Sequence, residues 1–138
     1  MLAVAAGGVV GAEARYGLGE LIPHTARQFP WSTVVINVSG CAVIGILMVV
    51  LLELTSSHRL LRPLLGVGVL GGYTTFSSFT VDTERLVREH EPLLAFAYVA
   101  LTVFACVLAV TAGTIATQAI GRIVLDSDVR HRVPGGKA

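Results

Sequence analysis

Of 138 residues, 54% are hydrophobic and 14% charged, whereas a soluble domain carries about 25% charged residues. With a mean hydropathy of +0.76, the chain reads as a membrane protein of one domain. A net charge of +1, with no basic stripe and no RNA motif, argues against nucleic acid as a partner.

The first apolar run is Leu2 to Ile22, closed by Pro23. It turns apolar at once and lacks a basic leader with a cleavage site, so it reads as a span and not a signal peptide. Gly7, Gly11 and Arg15 recur every fourth residue and share a face. Gly7-x-x-x-Gly11 permits close helix contact, whether for packing alone or for more. Glu13 and Arg15, two apart, do not face each other on a helix. Arg15 reads either as an anchor at a vestibule or as a charge that attracts ions.

The second run is Trp31 to Leu54, after the connector His24 to Phe29. Thr33, Asn37, Cys41 and Gly45 form one small or polar stripe at spacings of four. Asn37 offers both a donor and an acceptor. Two roles stay open for it: an interhelical hydrogen bond worth about 1 kcal/mol, or a place in a pore.

The third run, Leu60 to Val81, follows the connector Thr55 to Arg59 and contains LGGYTTFSSF, Leu70 to Phe79. Gly71-Gly72 is expected to break this helix near its middle. Irregular backbone at membrane depth persists only inside protein or beside a hydrated cavity. A break frees carbonyls on one side, which favour a cation, and N–H groups on the other, which favour an anion. Thr74, Thr75, Ser77 and Ser78 add hydroxyls. Phe76 and Phe79 share a face, and an aromatic edge carries partial positive charge. Such donors suit a small, poorly polarisable anion that must shed water. Lipid-facing or core filling is the plain alternative for the rings.

The fourth run, Pro92 to Ile120, follows the connector Asp82 to Glu91 and has length to spare. The other three also reach the roughly 20 residues that a span needs. Tyr98, Thr102 and Cys106 repeat the fourfold spacing as a polar track. A lone threonine there usually bonds its own backbone, so only the combination carries weight. Cys41 and Cys106 read as small buried side chains. A polar tail, Arg122 to Ala138, is expected to be loosely ordered. His24, His58, His90 and His131 fall in connectors or the tail, which leaves no convincing hydrolase constellation.

Arg59, Arg62, Arg122, Arg130, Arg132 and Lys137 would lie on one side of the membrane, and Arg27, Arg85 and Arg88 on the other. The bias is small. It leans towards cytoplasmic termini and is compatible with insertion in both orientations.

The segments GGVVGAEARYGL, STVVINVSGCAVIG and GVGVLGGYTTFSSF resemble the Fluc (CrcB) fluoride channels, and the resemblance covers essentially the whole chain. It implies an all-α integral membrane protein of the inner or plasma membrane. Four helices are expected at 2–22, 31–54, 60–81 and 92–120, the third broken, in a channel domain 1–121 with a tail 122–138. It implies an antiparallel, dual-topology dimer with two fluoride pores, formed with a second copy or a similar paired subunit. By the resemblance, Asn37, Phe76, Phe79, Thr75, Ser78, Tyr98 and Thr102 line the pore and Arg15 the vestibule. Carbonyls of Gly71 and Thr74 would hold a structural Na⁺ at the two-fold axis. Two departures stand out. Asp82 replaces a frequent glutamate, which puts a gating or vestibule role there in doubt. Cys106 stands where a serine is usual, a weaker donor.

The implied function is passive fluoride export, without an enzyme activity; no nucleotide motif suggests a pump. The alternatives are a proton-coupled small multidrug exporter using Glu13 and a non-transporting assembly subunit. Against the exporter, Glu13 has an arginine nearby, and the broken third helix would go unexplained.

Overall fold

The computed structural model describes residues 1–54 and 60–132. The connector 55–59, with His58 and Arg59, and Lys137 of the tail lie outside the described residues. Within them the chain is helical, without a strand. Helix α1 is Leu2–Leu21, and α2 is Trp31–Val49, extended by a wider π-type turn at Val50–Leu54. The third expected span is two helices. The first, α3, occupies 62–73, a π-type stretch Arg62–Leu70 running into Gly71–Tyr73; the second, α4, is Phe76–Arg88. Helix α5 is Pro92–Arg132. It opens on a proline, which suits a first helical position because no N–H is missed there.

One expectation is corrected. The helix continues to Arg132, through much of the segment expected to be loosely ordered. Three helical stretches are long and apolar enough to cross a membrane: Trp31–Leu52, Arg62–Arg88 and Pro92–Ile123. Helix α1 is not among them, since Glu13, Arg15 and several glycines dilute its apolar character.

Packing is pairwise. Helix α1 lies along α3, and α2 along α5. Glycines make the first pairing close. A Cβ on Gly7 would stand 2.5 Å from the Leu64 carbonyl oxygen, and one on Gly72 2.5 Å from that of Gly8. A Cβ on Gly11 would overlap the Val69 carbonyl. The small-residue motif of α1 is therefore a packing surface, which settles the choice left open by sequence. Gly45 and Gly113 bring α2 and α5 together in the same way, against Val110 and Ala42.

The apolar core is Val34, Leu86, Ala95 and Tyr98, with Phe29 and Phe79 packed on it. It joins α2, α4 and α5 at the end where the 22–30 loop returns. Arg27 of that loop bonds Glu89 at 2.8 Å, and the carboxylate holds the guanidinium pKa above its ordinary value. This contact is solvent-exposed, so water and salt screen it and it adds little to stability. It ties the loop to the end of α4.

Candidate functional site

The break lies at Thr74 and Thr75, not at Gly71-Gly72. Both glycines are helical; Gly72 gives α1 its close approach, and Gly71 carries no near contact. Thr74 (φ −70°, ψ 155°) and Thr75 (φ −145°, ψ 119°) are extended. Threonine, like serine, asparagine and aspartate, can restart a helix at once. The Thr75 hydroxyl accepts from the Ser78 N–H at 3.0 Å, an N-cap that satisfies an otherwise orphan donor.

The backbone of the break is held by Asn37. Its Nδ2 donates to the Thr75 carbonyl at 3.0 Å, and its Oδ1 accepts from the Thr75 N–H at 2.8 Å. An amide is the side-chain group that can answer both needs at one residue. The helical partner that Gly71's carbonyl would meet, the Thr75 N–H, is thereby turned away from it.

Two cavities meet at this point. The outer one, about 530 Å³, takes Arg15, Glu20, His24, Ser32, Asp82 and Arg85 as its polar lining and reaches Thr75, Ser77 and Ser78. The inner groove, about 370 Å³, is lined by Asn37, Cys41, Phe76, Phe79, Thr102 and Cys106 with Thr74 and Thr75. Thr75 lines both. Among the described residues neither Arg15 nor Arg85 stands in an ion pair. The outer cavity thus sets two guanidiniums against the carboxylates of Glu20 and Asp82. Glu13 is exposed and lines neither cavity, so nothing in the geometry gives it a transport role.

The aromatic pair behaves as its spacing suggested. Phe76 and Phe79 have centroids 5.7 Å apart, and Phe79 meets Tyr98 at 5.3 Å. Phe76 is 80% exposed on this protomer. The track on α5 is less uniform than expected. Thr102 spends its proton on the Tyr98 carbonyl at 2.7 Å, leaving lone pairs and no donor towards the groove. Tyr98, expected in the pore, is fully buried and lines neither cavity; its hydroxyl lies beside that of Thr33.

Sequence reasoning missed the floor of the outer cavity. Asp82, 7% exposed, accepts from the Thr33 hydroxyl at 2.6 Å. His24 places Nε2 3.5 Å from the other oxygen of Asp82, and Ser32 lies 3.1 Å from its Nδ1. A histidine set aside as a connector residue thus belongs to the site. The only sequence signal was its position, just after Pro23 and close before a polar first turn of α2. Serine, histidine and aspartate in a row invite comparison with a hydrolytic relay. With Ser32 4% exposed, the row reads as a packed contact that holds the 22–30 loop to α2 and α4.

The family described as CrcB-like protein, Camphor Resistance (CrcB), matches residues 2–114. The chain is 50% identical over 99 residues to the fluoride-specific ion channel FluC 2 of Streptomyces avermitilis, covering 72% of this chain and 63% of that one. It is 45% identical over 120 residues to FluC 2 of Thermobifida fusca, covering 87% and 89%. Against FluC 3 of Streptomyces avermitilis the identity is 41% over 138 residues, all of this chain and 66% of the relative. The chain thus spans about two thirds of the Streptomyces relatives' length and nearly all of the Thermobifida one.

Proposed function

The chain belongs to the CrcB family, and on that premise we propose that it is a fluoride-specific channel through which cytoplasmic fluoride leaves the cell down its gradient. One observation carries the reading: a helix broken at Thr74–Thr75, clamped by Asn37, between a cavity holding Arg15 and Arg85 and a groove lined by Phe76 and Phe79. The guanidiniums concentrate an anion at the mouth. Ser77 and Ser78 hydroxyls and the edges of the two rings then replace water around it. A small anion gains most from such close donors, and a larger halide fits them poorly.

The channel works as an antiparallel dimer. Gly71, Phe76 and Ser77 are exposed on the protomer beside the break, and irregular backbone at this depth needs protein or water over it, not lipid. A second copy in the opposite orientation supplies that cover, consistent with the weak charge bias. A structural Na⁺ fits the end of α3. Gly71's carbonyl has lost its helical N–H to Asn37, and Thr74 is turned out of the helix. Carbonyls of Gly71 and Thr74 from two copies would hold the ion, whose charge offsets the repulsion between their dipoles.

The test is protection. A bacterium lacking its own fluoride exporter, supplied with this chain, is expected to grow at fluoride concentrations that arrest the parent. Growth equal to the parent, with the protein present in the membrane, rejects the reading. The same experiment with a panel of cationic drugs addresses the exporter alternative, for which no protection is expected.

A further inference from the structure

The fourfold stripes of α2 and α5 run side by side and in step. The Thr33 hydroxyl lies beside that of Tyr98, Asn37 and Thr102 line one groove, and Gly45 meets the Val110 carbonyl. Between the last two pairs stand Cys41 and Cys106. Their thiols are in hydrogen-bond contact. Both are free and only partly buried, and both line the inner groove. The chain holds two cysteines, and the fold brings them together where the proposed function gives them no task.

We propose that Cys41 and Cys106 form a two-coordinate site for a soft monovalent metal cation, the class of copper(I) and silver(I), and that an ion seated there closes the groove to the anion. The closure rests on the fluoride reading; the site itself does not. Thiolate sulfur selects soft cations. Structural zinc takes four ligands, and among the described residues no group of three or more histidine, cysteine or carboxylate side chains could hold a metal ion. Two sulfurs facing each other from two helices suit an ion content with two ligands. The separation of those helices is fixed close by, since Gly45 meets Val110 and Gly113 meets Ala42.

Binding exchanges one proton for the cation. One thiol loses its proton to water, the other keeps its own, and two sulfur–metal bonds form. Thiolate, thiol and monovalent ion together are neutral, which spares the apolar wall of Ile44, Phe76, Phe79 and Val107 an unpaired charge. Metal–sulfur bonds of about 2.3 Å, the length that zinc makes, set two sulfurs about 4.6 Å apart end to end. Thiols in hydrogen-bond contact lie closer than this, so each side chain turns a little into the groove, whose volume of about 370 Å³ has room for the ion. Asn37, which clamps the break, lies one turn from the pair on α2. An ion on the sulfurs therefore stands in the groove beside the residues assigned to the anion's route.

The test uses Ag⁺, added as nitrate to the intact purified protein, with free thiols counted by a small maleimide. Without metal both cysteines of the chain are expected to react. One equivalent of Ag⁺ is expected to protect both at once, the signature of an ion that bridges two sulfurs. In Cys41→Ser and in Cys106→Ser the remaining thiol is expected to need about 10–100-fold more Ag⁺ for the same protection, at least the loss that removing a ligand's supporting partner causes. In proteoliposomes the same equivalent is expected to reduce fluoride efflux to the leak of protein-free vesicles, each variant being compared with its own rate before metal, and excess dithiothreitol is expected to restore it. Gel filtration checks each variant for an intact assembly, and alanine replaces serine where a variant does not fold. Protection of one thiol per ion, or equal protection in the single-cysteine variants, overturns the site. So do thiols that stay unreactive in the intact assembly or appear only after reduction. Bridging with unchanged efflux overturns the closure. Absence of efflux before any metal is added overturns the proposed function and leaves the thiol count to judge the site.

Discussion

Asn37 ties a membrane-embedded chain break to a neighbouring helix through both ends of one amide. Asn37→Ala leaves the Thr75 N–H and C=O without partners at depth, a penalty of about 1–3 kcal/mol for each. A lowered melting temperature is expected together with loss of flux. Loss of flux at unchanged stability would instead mean that Asn37 acts on the anion alone. Phe76 offers the converse case. It is largely exposed on the protomer, so Phe76→Ile is expected to change stability by no more than about 1–2 kcal/mol. What it removes is the ring edge. Each 1.36 kcal/mol added to the barrier slows passage about tenfold, and an unpaired anion against an aliphatic wall costs several such steps. Near-normal efflux through Phe76→Ile, measured on an assembly shown to be intact, would reduce the ring to packing.

The third span shows which parts of the fold a sequence displays and which it conceals. Its interruption was legible because hydroxyls and glycines crowd an apolar run. Its location was misread because glycine has two uses: it loosens a helix, and it lets two helices touch. Gly68 and Gly72 serve the second use, against Val4, Gly7 and Gly8 of α1, and that information lies some sixty positions away in the chain. The fourfold stripes on α2 and α5 were legible for a related reason, since a period near 3.6 reports a shared face directly. What such periods do not reveal is whether a hydroxyl's proton is already spent, as at Thr102. His24 was illegible for a third reason: a loop residue has no periodicity, and only the return of the 22–30 segment over α4 brings it to Asp82. The glycine seam itself is testable. Gly11→Val places a branched side chain where even a Cβ overlaps the Val69 carbonyl, and overpacking of this kind costs about 1–3 kcal/mol or more. Gly17→Ala, with open space around the added carbon, is expected to be neutral or slightly stabilising, since alanine is the better helix former. Equal thermal stability of Gly11→Val and Gly17→Ala would contradict the seam.

On the proposed antiparallel dimer, a protomer with an exposed break would be half a channel. Replacing Na⁺ by a bulky organic cation is expected to weaken the antiparallel pair, seen by gel filtration as monomer. A pair unaffected by thorough Na⁺ removal would exclude a structural role for the ion. Orientation is separately accessible. A unique cysteine placed near the end of α5, in a background with Cys41 and Cys106 replaced by serine, is expected to label from both sides of the membrane across the population. Labelling of every copy from one side would point instead to a paired subunit of opposite orientation. These expectations all presuppose that the protein passes fluoride through the route between its two cavities. The direct measurement is efflux from liposomes containing only the purified protein, followed with fluoride- and chloride-selective electrodes under the same gradient, with a potassium ionophore carrying the counter-charge. Rapid loss of fluoride with chloride retained is the expected result. Retention of both ions, or release of both alike, would contradict it.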